Sequence, residues 1–267
     1  MSASSSSGSG GGSSAGPTRL HLAELTTDEI SEICERPPCA VLLPLGSVEP
    51  HGPHLPLATD TVISEAACAR AARMLAERGV AAFIAPSIPY GVTDFAAGFR
   101  GAVGVPAAAL TAFARSVAGR FLDDGWTHVC LVNNHLEPAQ DAAVRAAIAG
   151  FPRGASSVAC PLTRRWGRML SDEFKRGDCH AGRYETSLAI AAGAEVREEF
   201  ASLPAINVSL SDEIRNGKRT FHEMGLVRAY TGSPAHATKE EGDALYELLA
   251  HMITTEVLEG IAATRTA

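Results

Sequence analysis

The sequence has no run of apolar residues long enough to cross a membrane, since a transmembrane helix needs about 18 or more of them. Positive charge is also scarce, because 23 Lys and Arg against 30 Asp and Glu leave a formal net charge of −7. An acidic chain gives no support for binding the phosphate backbone of nucleic acids. We therefore expect neither a membrane nor a nucleic-acid partner.

Paired cysteines are absent as well. The six cysteines include no Cys-x-x-Cys, which argues against a zinc ribbon, and we expect reduced thiols in a cytoplasmic protein. The first 17 residues are nearly all Ser, Gly and Ala, without the basic and apolar regions of a signal peptide. This composition predicts a disordered tail over residues 1–18 and a single domain over residues 19–267.

Short apolar runs alternate with segments of helical periodicity along the rest of the chain. Strands are predicted at residues 40–45, 80–85, 128–132 and 157–160, and helices at 26–36, 60–78, 106–123, 138–149, 183–192 and 239–262. This alternation predicts an α/β fold, a parallel-sheet three-layer sandwich with helices on both faces. Ligands of such sheets bind outside the carboxyl ends of the strands.

Three of the nine histidines follow predicted strands together with carboxylates. The first strand runs into GSVEPHGPHLPLATD, where Glu49 and His51 are two residues apart and Asp60 opens the next helix. A rigid Glu, His and Asp arrangement suits a divalent metal, which binds these groups at about 2.0–2.2 Å. The alternative is a polar loop in which Asp60 only favours the helix start.

His and Glu recur two residues apart after the third strand, in NNHLE, as His135 and Glu137. A third cluster, HAGRYETS, places His180 before a glycine that opens a helix, where an imidazole could act as a general acid or base. Glu185 in that helix is interpreted either as a direct participant or as a buried carboxylate that holds the loop. Together the clusters predict one site at one edge of the sheet.

The three clusters resemble the creatininase, or creatinine amidohydrolase, family through LPLGSVEPHGPHLPLATD, NNHLE and HAGRYETS, in the family's order and at similar spacing. The similarity runs from about residue 19 to residue 260. It implies an amidohydrolase that cleaves a non-peptide C–N bond, in a cyclic amide or a formamide, with a metal-activated water. It also implies a binuclear or mononuclear divalent site, with two ions per subunit expected, of zinc, manganese or iron, and a homo-oligomer such as a hexamer.

The resemblance assigns metal ligands by position. Glu49, Asp60 and His135 would bind one ion. His51, Asp60 and Glu137 would bind the second ion, so that Asp60 bridges the pair.

The resemblance also makes His180 the proton donor to the departing nitrogen, with Glu137 or Glu185 as a proton shuttle. The catalytic candidates are therefore Glu137 and His180. Further side chains are candidates for contact with a small-molecule amide substrate: Arg100, Trp166, Arg183 and Glu185.

Three alternatives stay open. One is a non-catalytic metal-binding or assembly protein on the same fold, favoured by the loop after the second strand. That loop lacks the His of many relatives and has Ala102 in place of their Thr. The second is a peptidase of the mycofactocin-maturation type. The third, a Cys179 nucleophile beside His180, is disfavoured because adjacent side chains rarely face each other.

Overall fold

The structure, a computed structural model, describes residues 19–265, and its sheet has four parallel strands. They are β1 (Cys39–Leu45), β2 (Ala81–Ile84), β3 (His128–Asn133) and β4 (Ser156–Ala159). Their spatial order is β2-β1-β3-β4 and every neighbouring pair is parallel. The predicted tail at residues 1–18 lies outside the described residues.

Helices connect the strands. They are α1 (Thr27–Cys34), α2 (Thr59–Ala76), α3 (Ala107–Asp123), α4 (Pro138–Ile148), α5 (Arg164–Gly167), α6 (Asp172–Arg176), α7 (Arg183–Ala191), α8 (Leu210–Arg215) and α9 (Lys239–Thr264). Helix α1 begins at the predicted capping box, in which the Thr26 side chain and Glu29 satisfy each other's backbone N–H groups. Single-turn 3₁₀ segments lie at Leu22–Glu24, Glu198–Ser202 and Pro234–His236.

Both faces of the sheet are covered, because side chains alternate between the faces along each strand. In the fully buried strand β1, Leu42 packs in a core with α2, α7 and α9. Val41 and Leu43 pack on the other face with α1, α3 and α4. The predicted α/β three-layer sandwich with a parallel sheet is confirmed.

The segment between β4 and α9 holds three helices that the sequence analysis did not predict, α5, α6 and α8. They have four, five and six residues, which is too short for a helical hydrophobic period to be recognised. Helices α6 and α8 each begin with a serine cap, from Ser171 and Ser209. These two helices form part of the cavity described below.

The six cysteines are free thiols, and five of them are buried. Among residues 19–265, no helix has both the length and the apolar character that crossing a membrane requires.

Candidate metal centre

The adjacent strands β1 and β3 bring two of the clusters together. Leu45 and Asn133, the last residues of these strands, are register partners. The loops that carry Glu49 and His135 therefore start side by side at the carboxyl edge of the sheet. Asp60 enters the same space from the first turn of α2. All three side chains are buried.

The carboxylate of Asp60 lies between two imidazoles. Its Oδ2 is 3.1 Å from His135 Nδ1, and its Oδ1 is 3.2 Å from His51 Nε2. Glu49 Oε1 is also 3.1 Å from His135 Nδ1. Asp60 thus presents one oxygen to each histidine, as a carboxylate shared by two neighbouring sites would.

Glu137 lies at the side of this group, with Oε2 3.9 Å from His135 Nε2. Its carboxylate accepts backbone hydrogen bonds from Asp94 at 3.1 Å and Phe95 at 3.3 Å. These donors belong to the loop between β2 and α3. Burial raises the pKa of Glu137 to about 7, despite the nearby imidazole of His135.

The third cluster arrives from the segment before α7. His180 Nδ1 lies 3.9 Å from Glu49 Oε1 and 4.0 Å from Glu185 Oε2, and the His180 ring centroid is 4.7 Å from that of His51. Glu185 Oε2 is 3.6 Å from His51 Nε2 and accepts a hydrogen bond from the Ala181 N–H at 2.6 Å. Glu185 therefore both holds the loop and reaches the cluster.

Each of the three imidazoles uses one ring nitrogen to donate to a backbone carbonyl. The pairs are His51 with Glu49 O at 3.1 Å, His135 with Val92 O at 2.6 Å and His180 with Pro50 O at 3.1 Å. The other nitrogen of each ring faces the carboxylates, and it can bind a metal ion when the imidazole is unprotonated. Metal-binding histidines are oriented by the same kind of outer hydrogen bond.

The cluster is short of positive charge. Among residues 19–265, the ion pairs of its four carboxylates are formed with histidines and not with Lys or Arg. Burial alone would lower the pKa of His51, but the facing carboxylates, Asp60 first, raise it to about 10. The Oδ2 atom of Asp60 has no hydrogen-bond partner. A divalent cation among these atoms would relieve the imbalance.

The donor atoms fall into three groups, each close enough together to hold one ion. The groups are Glu49, His135 and Glu137; His51, Asp60 and Glu185; and Glu49, His51 and His180. The residues present thus fit a divalent metal. The two groups without His180 differ from the ligand sets that the resemblance implied. Glu137 takes the place of Asp60 beside Glu49 and His135, and Glu185 takes the place of Glu137 beside His51 and Asp60.

The other candidates for substrate contact lie outside this cluster. Arg100 is exposed in the loop between β2 and α3. The Trp166 indole donates to Glu256 at 2.8 Å, and Arg183 forms an ion pair with Glu241. Substrate contact by these three residues, and by Glu185, stays a prediction.

A cavity of about 510 Å³ opens onto the cluster. Phe95, Phe174 and Phe221 line it, together with the cationic side chains Lys175 and Arg215. The sequence analysis singled out none of these residues. No local pattern marks them, since they come from short helices and irregular loops that reach the site only in the folded chain.

Comparisons with known proteins identify the family. A family model described as creatinine amidohydrolase matches residues 23–257. The chain is 32% identical over 224 residues to the mycofactocin precursor peptide peptidase of Mycobacterium tuberculosis (strain ATCC 25618 / H37Rv), covering 78% of this chain and 80% of that protein.

Two solved structures share the fold. A creatininase described as its Mn form superposes with a TM-score of 0.69 at 21% identity, covering 91% of this chain and 99% of the other. A creatininase variant of Zn-Zn type gives a TM-score of 0.70 at 20% identity, covering 92% and 99%. At these identities the likeness shows the fold alone.

Proposed function

The chain belongs to the creatininase family of amidohydrolases, and from that premise we propose that it is a divalent-metal-dependent enzyme that hydrolyses a non-peptide C–N bond, in a cyclic amide or a formamide. The observation that carries the proposal is the buried cluster of four carboxylates and three imidazoles. Their donor atoms lie close enough together to hold a cation, and within residues 19–265 no Lys or Arg forms an ion pair with these carboxylates.

We place Asp60 between two ions, with Glu49 and His135 on one side and His51 on the other. The second ion needs a further carboxylate ligand. The resemblance assigns Glu137 to this position, whereas the distance to His51 favours Glu185. A mixed Glu, His and Asp set accepts zinc, manganese and iron. The solved creatininases described above with manganese and zinc support this range of ions.

Bound divalent cations would supply Lewis-acid catalysis, which makes a water molecule more acidic and stabilises negative charge on a carbonyl oxygen. In the hydrolysis, the water oxygen bonds to the acyl carbon, the C–N bond breaks and the nitrogen takes up a proton. An amide nitrogen leaves poorly unless it is protonated, so a proton donor is needed beside the cluster.

We propose that His180 moves that proton. Its Nε2–H is fixed on the Pro50 carbonyl, so that Nδ1 faces Glu49 and Glu185. Burial, reinforced by His51, lowers the pKa of His180 to about 4. In the neutral form that burial favours, Nδ1 is unprotonated, and we propose that this atom takes up a proton and passes it to the departing nitrogen. Glu137 is the candidate shuttle.

The cysteine-nucleophile alternative has little support. Cys179 is buried, and burial raises the pKa of its thiol well above the usual range. The thiolate is the nucleophilic form, so this environment opposes its formation.

A panel of amide substrates tests the proposal with the metal-loaded protein, the metal-depleted protein and the reconstituted protein. The panel contains a small formamide, a lactam and a short peptide. We expect hydrolysis of the formamide or the lactam that is lost on chelation and restored by zinc, manganese or iron. Metal bound at the site without turnover of any amide would favour the non-catalytic alternative.

A peptidase is the second candidate function. The similarity to the mycofactocin precursor peptide peptidases favours it, since four such relatives are 29–32% identical to this chain. Hydrolysis of the short peptide in the substrate panel, without hydrolysis of the formamide or the lactam, would favour the peptidase over the first candidate function.

Assembly and cellular location also stay proposals. The resemblance implies a homo-oligomer such as a hexamer, and the composition is that expected of a cytoplasmic protein.

A further inference from the structure

The cavity at the metal centre has an aromatic wall. The Phe221 ring stacks on the His180 imidazole, with centroids 4.4 Å apart and planes 25° apart. Phe95 lies next to Phe221, at a centroid distance of 6.2 Å. Phe174 and Leu210, from helices α6 and α8, add further apolar surface. A substrate group in contact with this wall would be apolar.

The negative and positive side chains that line the cavity come from different parts of the structure. Apart from the four carboxylates of the metal centre, the charged lining residues are Lys175 on α6 and Arg215 on α8. Their ion-pair partners, Asp172 and Asp212, do not line the cavity. The cavity therefore presents two cations to a ligand whose other end lies at the metal centre.

Both cations are available to a ligand. Lys175 and Arg215 are partnered by residues one helical turn away, and the Asp172 and Asp212 side chains are 87% and 59% exposed. Exposed pairs of this kind hold their partners weakly. A carboxylate inside the cavity could therefore replace them as the partner.

We propose that the substrate is an amide that also carries an apolar group and a carboxylate, as in an N-acyl derivative of an apolar amino acid. This inference rests on the proposed amidohydrolase function. The acyl group lies at the metal centre, the apolar side chain against Phe221 and the carboxylate at Lys175 and Arg215. The cavity volume of about 510 Å³ is within the range of small-molecule sites.

The corresponding reaction is balanced by water alone. The water oxygen bonds to the acyl carbon, the acyl C–N bond breaks and the amino nitrogen takes both protons of the water, becoming an ammonium group. The products are the carboxylate of the acyl group and the free apolar amino acid.

Three matched compounds test the substrate class on the metal-loaded protein. N-formyl-L-phenylalanine has both features, its carboxamide derivative lacks the carboxylate, and N-formylglycine lacks the apolar side chain. We expect kcat/KM to be at least tenfold lower for each of the last two. Hydrolysis of all three at equal efficiency would overturn the inference and leave the proposed function standing.

Two variants locate the carboxylate. Lys175→Met and Arg215→Met should each raise KM for N-formyl-L-phenylalanine several-fold, with little effect on the carboxamide. Lys239→Met is the matched control, because this lysine lies at the start of α9 and does not line the cavity. Equal KM values in the three variants would contradict the assignment.

Binding of 3-phenylpropanoate separates recognition from catalysis, because this compound has the apolar group and the carboxylate but no amide. Calorimetry on the metal-loaded protein should show binding that weakens about tenfold in the Lys175→Met, Arg215→Met double variant. Weaker binding in the double variant supports the inference even if no amide is hydrolysed. Absence of hydrolysis would count only against the proposed function. Unchanged binding in the double variant would overturn the inference.

Discussion

Acid should destabilise the fold through His128, the first residue of β3. Its imidazole is fully buried and is held by the Gly154 carbonyl and the Ser157 hydroxyl, both at 2.8 Å. Helix α9 passes so close that a Cβ on Gly260 would lie 2.2 Å from the ring. Burial disfavours the charged form of the imidazole and lowers the pKa of His128 from 6.5 to about 4.

The sign and size follow from linkage. Above pH 6.5 the imidazole is neutral in both the folded and the unfolded chain, and its stability contribution is intact. As the pH falls toward 4, the His128 imidazole becomes protonated in the unfolded chain but stays neutral in the folded chain. A difference of about 2.5 pKa units corresponds to about 3 kcal/mol of unfolding free energy, lost across this window.

Urea denaturation between pH 7.5 and pH 4.5 measures this loss. We expect His128→Gln, whose side chain does not titrate, to show a weaker pH dependence than the original chain, by up to about 3 kcal/mol. His251→Gln, at an exposed position of α9, should keep the original pH dependence. An NMR titration of the His128 ring in the unaltered protein gives a second measurement. Titration near pH 6.5 in the folded state would refute the reasoning.

Two further predictions concern packing around the site. Glu173 is buried and accepts the N–H groups of Tyr184 at 2.9 Å and Ser233 at 2.8 Å. Glu173→Gln replaces one of these two acceptor oxygens with an NH2 donor, so it should lower the unfolding free energy by about 1–3 kcal/mol in urea titrations; an unchanged midpoint would contradict this role. In α9, a Cβ on Gly242 would lie 2.0 Å from Ser187 O. Gly242→Ala should therefore lower Tm, at a cost of about 1–3 kcal/mol. Gly119→Ala, whose Cβ would meet only ordinary contacts, should be neutral or stabilising, and equal Tm values would refute the packing argument.

The convergence of side chains that directly follow strands could be predicted from the sequence. Glu49 and His51 follow a strand directly, and Asp60 opens the next helix, so their convergence depends on one loop. His135 joins them because parallel strands end at the same edge of a sheet. The fold class followed from the same alternation of strands and helices.

The cavity could not be predicted in this way. Lys175 and Arg215 lie on helices of five and six residues, and Phe221 lies in an irregular segment. Only long-range packing brings them to the candidate metal centre. Trp166 became a substrate candidate by residue type alone. In the structure, its indole N–H donates a hydrogen bond to Glu256 on α9. This contact joins distant parts of the chain, so no local sequence pattern predicts it.

Metal analysis of the purified protein tests the central claim most directly. Elemental analysis after dialysis against zinc or manganese, followed by removal of free metal, should find two divalent ions per chain in the unaltered protein. Asp60→Asn should lose both ions and amide hydrolysis, whereas Asp243→Asn, an aspartate paired with Lys239 outside the cluster, should keep them. Full metal content in Asp60→Asn, or no retained metal in the unaltered protein, would contradict the account.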